Sequence, residues 1–377
     1  MRRIICFCLA ITSLFCFSYA DTSTLELKCE AAYLIEASTG EVLFSKNEHE
    51  KLRPASVTKV MTLLLIMEAL DNGSITLEDR VPCSEKAKNM GGSQIWLDPR
   101  EQLSVHEMLK AIAVVSANDC SVAMAEFIAG SEESFVDMMN KRANELGMND
   151  TMFKNCHGID EDGHITSAHD IAVMSRELIK HEKIFEYTTI WMDSLRDGKS
   201  ELVNTNKLLK TYTGANGLKT GSTSLAKYNL SATAKRNDMQ LIGVIMKAPT
   251  TKDRFNDAKT LLDYGFANYS IEKLTAKGEI VGTYKVQRGI QDTVNGITQN
   301  EVTKLFKKGT NKNIETEIVV NDIIAPMQAG EKIGEVIYKQ EDKEIARCNI
   351  VLESSVDKKT FGKVLSDIMN KWVRLGR

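Results

Sequence analysis

Two strand-like regions lie at opposite ends of one long helical block, and this arrangement limits the folds open to the chain. Residues 31–37 form an apolar run, Ser38-Thr39-Gly40 reads as a turn, and 41–45 is a second short strand, so a hairpin is expected. The next alternation of polar and apolar residues comes only at 226–246, in Tyr228-Asn229-Leu230-Ser231-Ala232 and Leu241-Ile242-Gly243-Val244-Ile245, followed by a helix over 253–264. The interval 56–181 reads as helix after helix. Ser56 to Leu70 is closed by Asn72-Gly73, and Ser104 with Glu107 makes a capping box before Met108, Leu109 and Ile112. Asn118 or Asp119 caps a helix that Gly130 stops, and Gly147 stops the helix from Ser131. Ser167 and Asp170 cap a helix with Ile171, Met174, Leu178 and Ile179 on one face. A sheet assembled from both ends of this unit, with the helices inserted between, fits the order.

From about 274 the texture changes again. Gly-punctuated turns at 277–279 and 328–331 separate strand-like runs at 315–320, 332–339 and 345–352, which reads as a small all-β domain over 274–356. A chain of 377 residues exceeds what one core usually serves, in agreement with two domains.

Both termini stand apart. Arg2 and Arg3, an apolar stretch over 4–17 and Ser18-Tyr19-Ala20 predict a secretory signal peptide over 1–20, with bulky Leu14 and Phe15 arguing against a lipoprotein site at Cys16. Removing it takes away two arginines and no acid, which moves the net charge from −3 to −5. That balance does not suit a nucleic-acid partner. At the other end Phe361, Val364, Leu365, Ile368, Met369, Trp372 and Val373 recur at helical spacing. Residues 361–377 carry four basic side chains and one acid, so an amphipathic helix over 357–377 is expected to lie on a membrane surface. Cys29, Cys83, Cys120, Cys156 and Cys348 would remain after processing; their odd number, wide spacing and lack of a CxxC pair indicate neither a disulfide framework nor a zinc site. Cys120 falls in an apolar helical pattern and reads as a buried small hydrophobe. His157, His164 and His169 do not have the spacing of usual metal sites.

Three short motifs carry chemistry. In Ser56-Val57-Thr58-Lys59 the first and last residues are nearly one helical turn apart and share a face. A lysine desolvated beside a serine loses its proton readily, and the neutral amine can then take the hydroxyl proton. Ser116-Ala117-Asn118 lies between two helices and offers a hydroxyl to relay a proton and an amide to hold a substrate carbonyl. Lys219-Thr220-Gly221 stands just before the alternating region; its charge and hydroxyl suit a terminal carboxylate, and Gly221 lets an extended peptide lie against a strand edge. Each motif alone is also explained by a cap, a turn or a solvated lysine. Together, in this order, they match the S-x-x-K, S-D-N and K-T-G set of penicillin-binding proteins and class A β-lactamases, with SAN as the middle element.

The chain resembles the low-molecular-mass penicillin-binding proteins that act as D-alanyl-D-alanine carboxypeptidases, serine peptidase family S11. The segments Arg53-Pro54-Ala55-Ser56-Val57-Thr58-Lys59-Val60-Met61-Thr62, Ser116-Ala117-Asn118-Asp119, Asn155-Cys156-His157-Gly158-Ile159-Asp160 and Gly217-Leu218-Lys219-Thr220-Gly221-Ser222-Thr223 carry the resemblance, and the β-rich second domain and amphipathic tail extend it over nearly the whole chain. It implies an α/β (α+β) transpeptidase fold of the penicillin-binding and serine β-lactamase type, with a catalytic domain over 21–273. It implies further that Ser56 is the acylated nucleophile, Lys59 its general base, and Ser116 and Asn118 the second element. Lys219 and Thr220 would bind the terminal carboxylate, and the N–H groups of Ser56 and Ser222 would form the oxyanion hole beside Gly221. Arg254 would assist the carboxylate, although the sequence around it departs from the Gly-Arg pattern of the family. No metal or other cofactor is implied.

The expected substrate is the peptidoglycan stem peptide, losing its terminal D-alanine through a Ser56 acyl-enzyme, with β-lactams as inhibitors and the outer face of the bacterial cytoplasmic membrane as the location. The alternatives are a serine β-lactamase or DD-endopeptidase on the same fold, and an exported binding module whose motifs are relics. Glu145-Leu146-Gly147-Met148-Asn149 has a faint likeness to the deacylating Glu-x-x-Leu-Asn element of class A β-lactamases, but Gly147 reads as a helix stop.

Overall fold

The computed structural model describes residues 25–310, 312–366 and 369. The signal-peptide segment 1–20 and the tail residues Ile368, Trp372 and Val373 lie outside the described residues.

The two distant strand regions do form one sheet. Strands β1 (Ala31–Glu36), β2 (Val42–Lys46), β3 (Ala215–Thr223), β4 (Lys227–Arg236) and β5 (Met239–Ala248) pair in the order β2-β1-β5-β4-β3, all antiparallel. Strand β3 is therefore an edge. The Lys-Thr-Gly motif lies within it, with Lys219 opposite Ser231 and Gly221 opposite Asn229. The expectation that this motif precedes the strand is corrected: Gly is a turn signal in sequence, yet here it occupies a pairing position in the strand.

The helical block supplies α1 (Lys59–Asp71), α2 (Val105–Val114), α3 (Asn118–Ala129), α4 (Glu132–Glu145) and α5 (Ala168–Leu178). Helix α1 is buried on every face, from Val60 through Met67, which explains its unbroken apolar sequence. It forms the centre of a core to which α2, α3 and α5 contribute Leu109, Ile112, Met124, Ile171 and Met174. Helix α5 covers one face of the sheet, where Ser175 Oγ meets Ser231 Oγ at 2.7 Å. Helix α6 (Thr251–Asn268) covers the other through Phe255, Leu261 and Leu262.

Local capping follows the sequence at several ends. Ser104 and Glu107 form the reciprocal box, Ser167 accepts from Asp170 N–H, and Gly130 closes α3 in the left-handed conformation. Asn118 is a correction: the N-cap is Ala117, without a side-chain cap, and the Asn118 side chain is used elsewhere. Helix α1 also begins later than expected. Ala55–Thr58 is a 3-10 turn, and α-helix starts only at Lys59.

Beyond α6, Tyr269–Thr275 pairs with Val302–Lys307. A six-stranded sheet follows, with Glu315–Val320, Lys332–Gln340, Lys343–Leu352, Thr293–Thr298, Ile280–Gln287 and Ile323–Ile324 in that order, around a separate core of Val294, Ile333, Val336, Tyr338 and Ile350. Residues 361–366 are helical, and Phe361, Val364 and Leu365 are exposed there, as is Met369.

Candidate active site

The nucleophile candidate sits on a strained turn. Ala55, a residue with a side chain, has φ +48°, in the left-handed region that disfavours a Cβ. The turn that follows sets Ser56 partly open to solvent, while Lys59, the first α-helical residue, is fully buried.

Lys59 Nζ has three partners: Asn118 Oδ1 at 2.6 Å, the His157 carbonyl at 2.6 Å and Ser56 Oγ at 3.2 Å. The Asn118 amide is oriented by its other end, because Nδ2 donates to the Gly91 carbonyl at 2.7 Å. Both short contacts of Lys59 are thus to oxygens that can only accept. A neutral amine has two N–H bonds, and these two acceptors use both. Its lone pair is then left facing Ser56 Oγ, whose hydroxyl becomes the donor. Burial pushes the Lys59 pKa down to about 7, with smaller opposing effects from Cys156, Asp119 and Cys120. The site therefore supplies a base close to neutral pH.

Ser116 is buried with φ +65°, and its hydroxyl has no hydrogen-bond partner among the described residues. Next to it, Asp119 anchors the segment that borders the site. Its carboxylate accepts from Ile95 N–H at 3.0 Å, Leu97 N–H at 3.1 Å and Cys120 N–H at 2.9 Å. Asn118 N–H donates to the Ser93 carbonyl at 2.7 Å from the same segment.

Strand β3 closes the other side. Gly221 meets the nucleophile turn so closely that a Cβ there would stand 2.8 Å from Val57 N and 2.9 Å from Ser56 N. Ser222, one residue on, is exposed. Lys219 is 1% exposed, and its Nζ donates to the Thr220 carbonyl at 2.9 Å. Burial pushes its pKa well down, and the positive charges of Lys59 and Arg254 add to the effect. Thr220 Oγ1 lies 2.7 Å from Thr205 Oγ1. Arg254 is buried behind the strand, donating to the carbonyls of Gly221 at 3.2 Å and Asn229 at 3.3 Å, with Nε unpartnered among the described residues. Its two hydrogen bonds therefore steady the strand backbone.

Of the residues named from sequence, Ser56, Lys59 and Asn118 form one hydrogen-bonded cluster; Gly221 abuts it, and Lys219 is near enough to feel the Lys59 charge. Thr205, the His157 carbonyl and Asp119 also build the site, and the sequence does not mark them for these roles. A backbone carbonyl leaves no residue signature, and a lone Thr in a loop reads as a turn. The three histidines diverge: His157 Nε2 approaches Glu132 at 3.4 Å, His164 binds Thr58, and His169 binds Asp170. No group of metal-ligating side chains occurs among the described residues, and Cys29, Cys83, Cys120, Cys156 and Cys348 are buried free thiols. Glu145, at the end of α4, pairs with Arg142 at 3.3 Å and is half exposed.

The chain is similar to known proteins over both of its strand-bearing regions. The family model for D-alanyl-D-alanine carboxypeptidase matches residues 18–250, and that for the penicillin-binding protein 5 C-terminal domain matches 269–358. The D-alanyl-D-alanine carboxypeptidase DacF of Bacillus subtilis is 45% identical over 358 residues, spanning 94% of this chain and 92% of that protein. The crystal structure of penicillin-binding protein 5 from Haemophilus influenzae superposes with a TM-score of 0.76 at 30% identity, over 89% of this chain and 99% of that one. Penicillin-binding protein D2 from Listeria monocytogenes in its ampicillin-bound form gives 0.60 at 29% identity, over 64% of this chain and 99% of that one. The chain belongs to the D-alanyl-D-alanine carboxypeptidase family of serine peptidases.

Proposed function

We propose that this member of the carboxypeptidase family removes the terminal D-alanine from peptidoglycan stem peptides through an acyl-enzyme on Ser56, and that β-lactams acylate the same serine. The stem peptide lies extended along the free edge of β3, its carboxylate held by Lys219 and the Thr220 hydroxyl. Neutral Lys59 takes the Ser56 Oγ proton as Oγ bonds to the carbonyl carbon of the penultimate residue. The N–H groups of Ser56 and Ser222 receive the oxyanion. The C–N bond then breaks, and the departing amine of D-alanine takes the proton from Lys59 by way of the unpartnered Ser116 hydroxyl. Water gives a proton to the restored amine and attacks the ester carbonyl; the C–Oγ bond then breaks, Ser56 Oγ takes that proton back from Lys59, and the shortened peptide leaves as its acid.

The observation that carries this reading is the environment of Lys59 Nζ, where two carbonyl acceptors at 2.6 Å leave the lone pair for Ser56. Arg254 assists the carboxylate indirectly, by contributing positive charge behind the strand. The test pairs fluorescent-penicillin labelling with D-alanine release from a diacyl-Lys-D-Ala-D-Ala peptide. Both should be lost in Ser56→Ala with the fold intact. Labelling of that variant at the wild-type level would reject the assignment, and rapid hydrolysis of penicillin would favour a β-lactamase.

For the organisation of the chain we propose a catalytic domain over 21–273, a β domain over 274–356 that holds it away from the membrane, and a tail over 357–377 that rests on the outer face of the cytoplasmic membrane. The exposed Phe361, Val364, Leu365 and Met369 support a peripheral anchor. No helix among the described residues is long and apolar enough to cross a membrane.

A further inference from the structure

We infer that His164 is a positioning residue for the oxyanion donor: acting through Thr58, it fixes the plane of the Ala55–Ser56 peptide and so the direction of the Ser56 N–H. This rests on the reading of Ser56 as nucleophile. His164 lies in the sequence among residues that read as loop, far from the three motifs, and no step of the mechanism above uses it.

The proton positions in this chain of contacts follow from chemistry alone. Lys154 N–H lies 2.9 Å from His164 Nδ1, and a backbone N–H can only donate, so Nδ1 accepts. In a neutral ring Nε2 then carries the proton. At the other end Thr58 Oγ1 lies 2.8 Å from the Ala55 carbonyl, which can only accept, so the threonine proton goes to Ala55. Thr58 Oγ1 is left to accept from His164 Nε2 at 2.7 Å. Both ends demand the same tautomer. His164 is 2% exposed, and Phe153 packs edge-on against its ring with centroids 5.9 Å apart. Burial pushes its pKa down to about 3, in keeping with a permanently neutral ring.

The end of the chain matters because of peptide planarity. The Ala55 carbonyl and the Ser56 N–H belong to one planar unit and point in opposite directions. Drawing the carbonyl toward Thr58 aims the N–H the other way. Ala55 needs such a restraint, since its φ of +48° is unfavourable for a residue with a Cβ. From the same segment as His164, Gly158 lies flush on this peptide, where a Cβ would stand 1.9 Å from Ala55 O. The 154–164 segment thus holds the peptide in two ways, by shape at Gly158 and by the His164–Thr58 relay.

The test uses the full chain with four variants: His164→Ala, His164→Gln, Thr58→Val and Thr58→Ser. Three quantities are read: the second-order acylation rate with fluorescent penicillin, kcat and KM for D-alanine release, and the thermal midpoint. His164→Ala and Thr58→Val should lower the acylation rate and kcat roughly 10- to 100-fold, with KM within about two-fold. Thr58→Ser, which keeps the hydroxyl, and His164→Gln, whose amide can donate to Thr58, should recover most of the loss. Wild-type acylation in Thr58→Val or His164→Ala would overturn the inference while leaving the Ser56 reading intact. So would a loss that neither conservative variant recovers and that follows the thermal midpoint. If His164→Ala fails to fold, the Thr58 pair decides. Failure of the underlying reading would show differently, as labelling that persists in Ser56→Ala.

Discussion

Lys59 Nζ and Ser56 Oγ stand 3.2 Å apart across the junction between a 3-10 turn and an α-helix. In a regular helix the two side chains would also share a face. Here the tighter turn leaves the serine partly open to solvent while the lysine is buried one residue into α1. The proposed nucleophile must meet substrate and its base must be dry, and this junction suits both demands.

The pH dependence of acylation follows. Burial lowers the Lys59 pKa to about 7, and the active form is the neutral amine above that value. The acylation rate should rise with pH through about 7 and then level. Lys59→Arg keeps a cation that does not release its proton, so it should lose acylation by about 10²- to 10⁴-fold at every pH tested. Stopped-flow labelling with a fluorescent penicillin checks both. A flat profile between pH 5.5 and 8.5 would show that another group sets the rate.

Lys219 should act on the substrate's charge. It is buried, and the loss of solvation, with the positive charges of Lys59 and Arg254 adding to it, pushes its pKa well down. An incoming carboxylate relieves that cost by pairing with the ammonium. Lys219→Met should therefore lower kcat/KM for the diacyl-Lys-D-Ala-D-Ala acid by about 10²- to 10³-fold, and should change the rate with the corresponding C-terminal amide by much less. Equal losses on acid and amide would mean that Lys219 does not read the carboxylate.

Glycine substitutions should separate the site from ordinary turns. Gly158 has φ +91° and no room for a Cβ against Ala55 O. Gly158→Ala should cost at least about 2 kcal/mol of stability and most of the acylation rate. Gly221→Ala places its methyl carbon within 2.9 Å of Ser56 N and should slow acylation at least ten-fold with a smaller effect on the thermal midpoint. Gly73 has a similar φ of +74° but open space around it, so Gly73→Ala should cost about 1 kcal/mol and leave acylation unchanged.

The parts of the fold that were legible in sequence are those where local and tertiary demands agree. The Ser104–Glu107 box, the Ser167 cap and the one-sided pattern of α5 each have a local cause, and each stands where expected. Misreadings fall where the site overrides local preference. Asn118 is favoured at a cap, yet its side chain bridges Lys59 and Gly91. The Lys219-Thr220-Gly221 motif reads as standing just before a strand, yet Gly221 pairs within the edge strand, where the nucleophile turn leaves no room for a side chain. The left-handed Ala55 could not be foreseen, since alanine ordinarily avoids that conformation and only contacts distant in sequence hold it there. The spacing of His164 from His157 and His169 does not suit a metal, and its relay depends on two backbone groups that carry no sequence signal.

The tail offers a test independent of the chemistry. Phe361 is 84% exposed, with Leu365 one helical turn on and also exposed, so an apolar strip meets solvent at the end of the described chain. Burying such side chains in a lipid interface gains roughly 2 kcal/mol each, and the surplus of basic residues over 361–377 adds attraction to anionic headgroups. The protein should co-sediment with phosphatidylglycerol vesicles. The double variant Phe361→Asp, Leu365→Asp should reduce that binding at least ten-fold, and raised salt should weaken it in part, because only the headgroup attraction is screened. Penicillin labelling in solution should be unaffected by the double substitution, since the proposed nucleophile Ser56 and its base Lys59 lie at the start of α1 and not in the tail. Vesicle binding that survives deletion of 357–377 would move the membrane contact to another surface of the protein.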